Sequence, residues 1–261
     1  STNSSIGLIY ALKKIFNLKN KPYNLDVSKI ICEIGHNHLG SSKFLFEYLE
    51  NLDSKIISGI TIQLKAPHLY NNEYKNYYLN PEIINKFFHQ AKKKFKYVGL
   101  ATTCSSNLKF LNLKSISFIK GLSVDLQNYK LIKELKKTKK KIFLSTGFSK
   151  FNQIKKTLSK VGKKNIELIH TSFSKDKNNL GFEKIHQLKK LRLAVSYGNH
   201  SVDKNTIAYA TFFEPKYIFF YIKRNNKSAN IPFRDNKHSI KLKDIKKIHN
   251  DIIKFKRYIK T

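Results

Sequence analysis

The sequence predicts a single (β/α)8 TIM barrel of the α/β class, and three observations carry that reading. Short β-type runs alternate eight times with longer segments of helical period, the order expected of a parallel sheet with crossover helices. The chain of 261 residues is close to the roughly 250 that one such barrel occupies. Polar residues collect where successive runs end, and in this architecture that face is the catalytic one.

A polar lead-in over residues 1–28 precedes a barrel domain over 29–261, and its stretch 6–18 has the pattern of a short amphipathic helix interrupted by Lys13 and Lys14. The first strand is expected at 30–34. Ser41 or Ser42 caps the helix after it, whose Phe44, Leu45, Tyr48, Leu49 and Leu52 share one face. A second strand at 60–64 leads into an irregular stretch, 65–79, rich in tyrosine and histidine. Asn80 and Pro81 open the next helix, with Ile83, Ile84, Phe87, Phe88 and Ala91 on its inner stripe; proline suits the first helical position because its missing N–H needs no partner there. Strands at 97–101, 116–119 and 142–144 follow, then a helix marked by Ile154 and Leu158, a strand at 166–169 and a helix marked by Ile185 and Leu188. The last two strands fall at 193–197 and 217–222. After a second irregular stretch, 223–239, the spacing of Ile245, Ile248 and Ile252 marks the final helix. Both irregular stretches follow strands, where loops of this architecture build and cover an active site.

Hydrophobic residues make up 41% of the chain, enough for a packed interior. No apolar run approaches the ~18 residues needed to cross a bilayer, so no membrane span is expected. Cys32 and Cys104 lie far apart without CxxC spacing, which implies neither a disulfide framework nor a cysteine zinc site and makes the cytoplasm the expected compartment. The formal charge of +34 attracts nucleic acid, acidic membranes and anionic metabolites alike. The lysines are scattered in short runs and arginine is rare, whereas bidentate recognition of phosphates and bases favours arginine. Nucleic acid is therefore not the expected partner, and most of the charge reads as solvated lysine on outer helices.

The strand ends supply the candidate site. They carry Glu33 to Gly40 on the first strand, Gln63 on the second, Thr102 and Thr103 on the third, and Lys120 to Asp125 on the fourth. Ser145, Thr146 and Gly147 end the fifth, His170 the sixth, and Tyr197 to His200 the seventh. An ammonium, several hydroxyls and a glycine turn suit a phosphate or carboxylate, because hydroxyl and backbone N–H donors with one cation solvate a multiply charged anion. Glu33 and the histidines add proton transfer or metal binding.

These motifs, in this order, resemble the sialic acid synthase family, whose members condense phosphoenolpyruvate with an N-acetylated sugar aldehyde to form a nonulosonic acid. Cys32 to Gly40 is similar to the family's EIGxNHxG signature, Ile62-Gln63 sits where its KFQ motif falls, and Ala101-Thr102-Thr103 resembles its STP segment. Leu144-Ser145-Thr146-Gly147 is close to LSTG, Leu168-Ile169-His170 to LLH, and Tyr197-Gly198-Asn199-His200 to YSDH, with Arg234-Asp235 and Ser239 later. The resemblance implies that Lys120, Ser123, Ser145 and Thr102 hold phosphoenolpyruvate, that Gln63 and Asp235 face the sugar, and that Glu33 acts near the aldehyde. It places Asn37, His38, Asp125 and His170 with the substrate-binding residues. It also implies a divalent metal, manganese or magnesium, bound by His200 and the residue at the Tyr221 position.

The chain departs from the family's pattern at several positions. Tyr221 stands where the family has a second metal-binding histidine, Thr61 where KFQ has its lysine, with Lys65 two residues beyond Gln63, and Asn199 where YSDH has its aspartate. After His170 come Thr171, Ser172 and Phe173 in place of a cysteine and polar residues. Family members carry a small antifreeze-like domain that covers the partner's site in a swapped homodimer, and this sequence stops at Thr261 after its final helix. The expectation is a synthase covered by a separate protein or left uncovered, with a catalytically degenerate sugar- or phosphate-binding barrel, or partner subunit, as the alternative.

Overall fold

The computed structural model describes residues 29–174, 180–225 and 232–260; the lead-in and its expected helix lie outside the described residues. Eight parallel strands close on themselves: β1 (Lys29–Gly35), β2 (Gly59–Leu64), β3 (Tyr97–Thr102), β4 (Phe118–Gly121), β5 (Lys141–Ser145), β6 (Ile166–Thr171), β7 (Val195–Asn199) and β8 (Tyr217–Lys223), with β8 paired back to β1. This is the expected TIM barrel. A two-residue strand, β9 (Ile240–Lys241), extends β8.

Described helices are α1 (Ser42–Asn51), α2 (Pro81–Lys94), α3 (Tyr129–Lys137), α4 (Phe151–Val161), α5 (Glu183–Lys189), α6 (Asn205–Ala210) and α7 (Ile245–Lys260). Ser41 is the cap of α1, its Oγ accepting from Phe44 N at 3.3 Å. Asn80 caps α2 through Glu82 N at 2.8 Å, with Pro81 in the first turn. Between β3 and β4 the chain forms two 3-10 turns, Ser105–Phe110 and Leu113–Ser115, rather than an α-helix. Asn112 Oδ1 accepts from Lys114 N there, a local bond that competes with helix formation. β4 starts two residues later than predicted because the second of these turns ends at Ser115. β7 also starts late: Arg192 has a φ of 58°, which holds the chain in a turn before Val195.

Strand parity divides the buried residues into two layers. Ile31, Phe118, Phe143, Ile169, Tyr217 and Phe219 fill the lower barrel interior, with Phe118 and Phe143 edge to face at 4.9 Å. The alternate residues, such as Ile60, Ile62, Leu100, Leu144 and Leu168, pack outward against the helices. Each large side chain so buried contributes roughly 1.5–3 kcal/mol.

Several lysines expected to be merely solvated instead hold the far ends of helices. Lys136 Nζ donates to Gly162 O at 3.0 Å, Lys163 Nζ to Leu191 O at 3.0 Å and Lys189 Nζ to Phe213 O at 2.9 Å, while Lys94 donates to Leu49 O. Cations at C-terminal carbonyls satisfy orphan acceptors and oppose the negative end of the helix dipole. Among the described residues no helix is long and apolar enough to cross a membrane.

Candidate active site

Above the aromatic floor, Lys120 of β4 reaches Glu33 of β1 and donates to its Oε1, both side chains buried. The Lys120 ammonium lies 5.6 Å from the centre of the Phe219 ring and 5.9 Å from that of Tyr221. Beside this pair runs a chain of hydroxyls. Gly147 N donates to Ser123 Oγ at 3.2 Å, Ser123 Oγ donates to Ser145 Oγ at 2.9 Å, and Ser145 shares a 2.8 Å bond with Thr171 Oγ1. Phe173 packs over this corner. A Cβ on Gly147 would come within 2.3 Å of its ring, and Phe148 stacks on its outer face at 4.3 Å.

The loop after β8 closes the opposite side. Asn37 Nδ2 donates to Ile222 O at 2.8 Å and to Ser239 Oγ at 3.1 Å, and Ser239 Oγ donates to Asp235 O at 2.7 Å, so the end of β1 fixes this loop. Gly35 adopts a φ of 58°, and a Cβ there would lie 2.6 Å from the Tyr221 ring and 3.4 Å from Asp235 Oδ2, so glycine is required for both approaches. Burial, with Glu33 adding its charge, raises the Asp235 carboxyl to about 6, against the opposing pull of Arg234, Lys120 and Lys65. Burial likewise raises Asp125 to about 6 against Lys65. Lys65 thus faces both carboxyls from the end of β2, its Nζ 4.8 Å from the Tyr74 ring centre.

His200 meets a histidine that the sequence motifs did not single out. Its ring lies 4.6 Å from that of His238, and Tyr221 packs edge-on against both, at 5.5 and 5.3 Å. His238 Nε2 is buried with no hydrogen-bond partner and sits 3.7 Å from Asp235 Oδ1. Burial, then His238 and Lys120, lowers His200 to about 2, leaving a neutral imidazole. Tyr221 does not fit the ligand role expected of it: burial, with Glu33 and Asp235, holds its phenol well above the ordinary range, and a neutral phenol binds divalent ions poorly. Among the described residues no three His, Cys, Asp or Glu side chains form a metal-binding group. The two imidazoles do suit a divalent ion that takes its other positions from water and substrate, and the orphaned Nε2 is a free donor for it.

The structure therefore brings together Glu33, Lys120, Ser123, Ser145, His200 and Asp235. Gln63 shares the inward face of β2 with Thr61, since Ile62 and Leu64 pack outward. Thr102 and His170 lie on the other parity of their strands and point away from Lys120. Thr102 Oγ1 is engaged by Cys104 N at 3.1 Å and Asn107 Nδ2 at 3.0 Å, and His170 Nε2 meets Leu180 O at 3.0 Å. His38 Nδ1 accepts from Gly40 N at 3.0 Å and shapes the β1 turn.

Comparison with known proteins agrees with the barrel fold. The structure is similar to the N-acetylneuraminic acid (sialic acid) synthetase of Leptospira borgpetersenii serovar Hardjo-bovis, with a TM-score of 0.78 at 18% identity over 91% of this chain and 85% of that one. It resembles the spore coat polysaccharide biosynthesis protein spsE of Bacillus subtilis, with a TM-score of 0.75 at 15% identity over 89% of this chain and 69% of that one. A truncated 3-deoxy-D-arabino-heptulosonate 7-phosphate synthase of Thermotoga maritima shares the fold at a TM-score of 0.66 and 16% identity, covering 92% and 93% of the two chains. In sequence the chain is 26% identical over 188 residues to the uncharacterized protein MJ1065 of Methanocaldococcus jannaschii, a match covering 66% of this chain and 55% of that protein. The NeuB family model matches residues 60–261, which is most of the chain, and the protein belongs to the NeuB family.

Proposed function

We propose that the protein is a synthase of the nonulosonic acid type, which joins phosphoenolpyruvate to an N-acetylated sugar aldehyde and releases phosphate. The observation that carries this reading is the buried Lys120–Glu33 pair beside the Ser123, Ser145 and Gly147 N–H donors, in a NeuB-family barrel. These groups suit the reaction's charges. The enol carbon of phosphoenolpyruvate bonds to the aldehyde carbon, whose oxygen takes a proton from water; a water molecule then adds to the carbon that bears the phosphate oxygen and loses a proton, and phosphate leaves as the ketone forms. Ser123, Ser145 and the Gly147 N–H would receive phosphate or carboxylate oxygens, and the buried Lys120 would stabilise the negative charge. Glu33, freed from Lys120 as the anion binds, would take the proton of the attacking water. Asp235 and Gln63 would face the sugar hydroxyls. A divalent ion held by His200 and His238 would supply polarisation of the aldehyde oxygen.

A second reading, a barrel that binds sugar or phosphate without turnover, is favoured by Phe173 packed over Gly147 and by Tyr221 edge-on to His200. Phosphate release separates the two. Wild type and Lys120→Ala would be incubated with phosphoenolpyruvate, N-acetylmannosamine or related N-acetylated sugars, and manganese or magnesium. Sugar-dependent release that Lys120→Ala abolishes is expected of the synthase. Absence of release from folded wild type with every sugar and metal would leave the binding barrel.

A further inference from the structure

The opposite, N-terminal mouth of the barrel holds a cavity of about 400 Å3 that the proposed reaction does not use. Five lysines line it, Lys92, Lys96, Lys114, Lys140 and Lys141, and among the described residues no acidic one does. Its floor is aromatic: Tyr97 and Tyr217 meet edge to face at 5.2 Å over Phe118 and Phe143.

The structural role found for other lysines at this end does not account for these. Lys94, Lys136, Lys163 and Lys189 are spent on helix carbonyls. Of the cavity lysines only Lys141 has a carboxylate partner among the described residues, Glu167 Oε1 at 2.5 Å, and Lys216 shares that same oxygen at 2.7 Å. Lys92 Nζ donates to the Ser117 hydroxyl at 3.3 Å. Like charges around one opening repel, and walls of low dielectric focus their field into the cleft instead of letting it spread. Burial alone would raise the Tyr97 phenol, yet the hydrogen bond with Tyr217, then the charges of Lys29 and Lys96, bring it below its ordinary value.

We infer that this N-terminal cavity is a second binding site, for a compact polyphosphate anion. Lysine ammoniums serve phosphate as point charges without needing bidentate geometry. The volume lies within the ~300–1,000 Å3 of small-molecule sites. A concave, localised cluster matches a small anion better than the extended track that a nucleic acid backbone needs.

Isothermal titration calorimetry at ~0.15 M salt, where exposed charges more than about 8 Å apart are screened, tests this with sodium tripolyphosphate and with ATP. The variants are Lys96→Ala/Lys140→Ala and, as a control for net charge, Lys155→Ala/Lys156→Ala on the exposed face of α4. Saturable one-to-one binding of tripolyphosphate is expected, weakened about tenfold or more by the first double variant and little by the second. Equal affinity for ATP assigns the site to the phosphates alone, and tighter binding adds the nucleoside over the tyrosine floor. The inference is overturned by absence of saturable binding, by equal loss in both double variants, by competition from phosphoenolpyruvate, or by a DNA oligonucleotide that binds more tightly than either anion and is lost with Lys96 and Lys140.

Discussion

Lys120 and Glu33 meet across the barrel interior from β4 and β1, with side chains only 4% and 3% exposed. Removing one partner of such a pair strands a buried charge, which costs about 3–5 kcal/mol, whereas removing both costs far less. Lys120→Met and Glu33→Gln are therefore each expected to destabilise the fold by that order, and the double variant by much less than the sum. Urea denaturation of the four proteins measures the coupling. Additive losses would show that the two charges do not depend on each other.

The Ser145 hydroxyl sits between Ser123 and Thr171, bonded to both. Ser145→Ala leaves the Ser123 hydroxyl without its acceptor and costs about 1–3 kcal/mol of stability. Under the proposed function it also removes an anion donor. KM for phosphoenolpyruvate should rise by about tenfold with a smaller change in kcat, the pattern of lost ground-state binding. An unchanged KM in steady-state assays would place the anion elsewhere.

Much of this site was legible because strand parity and strand ends follow directly from the apolar pattern. Glu33, Lys120 and Ser145 fall at the ends of strands whose alternation could be read, and Lys65, two residues beyond Gln63, shares its inward parity. The same rule, applied without parity, does not show that Thr102 and His170, which also end their strands, face outward. His238 was not legible. It belongs to an irregular loop with no periodicity, and its position depends on the distant Asn37–Ser239 bond. Phe173 likewise takes its place from the stack with Phe148 and the bare Gly147, which are tertiary contacts.

If His200 and His238 hold the proposed divalent ion, metal affinity should follow these two residues and not Tyr221. Cobalt(II) gives a visible absorption band whose position reports nitrogen ligation, independent of turnover. Titration of wild type should give that band, His238→Ala should weaken binding about tenfold or more, and Tyr221→Phe should leave it nearly unchanged. Loss of the band in Tyr221→Phe, with His238→Ala like wild type, would falsify the assignment.

Asp125 offers a pH test away from those ligands. Burial raises its carboxyl to about 6 in the folded chain, above the ordinary value of 3.8. The folded state thus holds this proton more tightly than the unfolded state, so the contribution is largest below about pH 4 and is lost as pH rises through about 6. Two pKa units would correspond to about 3 kcal/mol for a fully buried group, and the partial exposure of Asp125 reduces the expected effect to the order of 1 kcal/mol. Asp125→Asn removes this titration. Chemical denaturation at pH 4, 5, 6 and 7 should therefore show wild type losing about 1 kcal/mol relative to the variant as pH rises, with most of the change between pH 4 and 6. Parallel curves over that range would mean that Asp125 keeps an ordinary carboxyl pKa and that Lys65 offsets its burial completely.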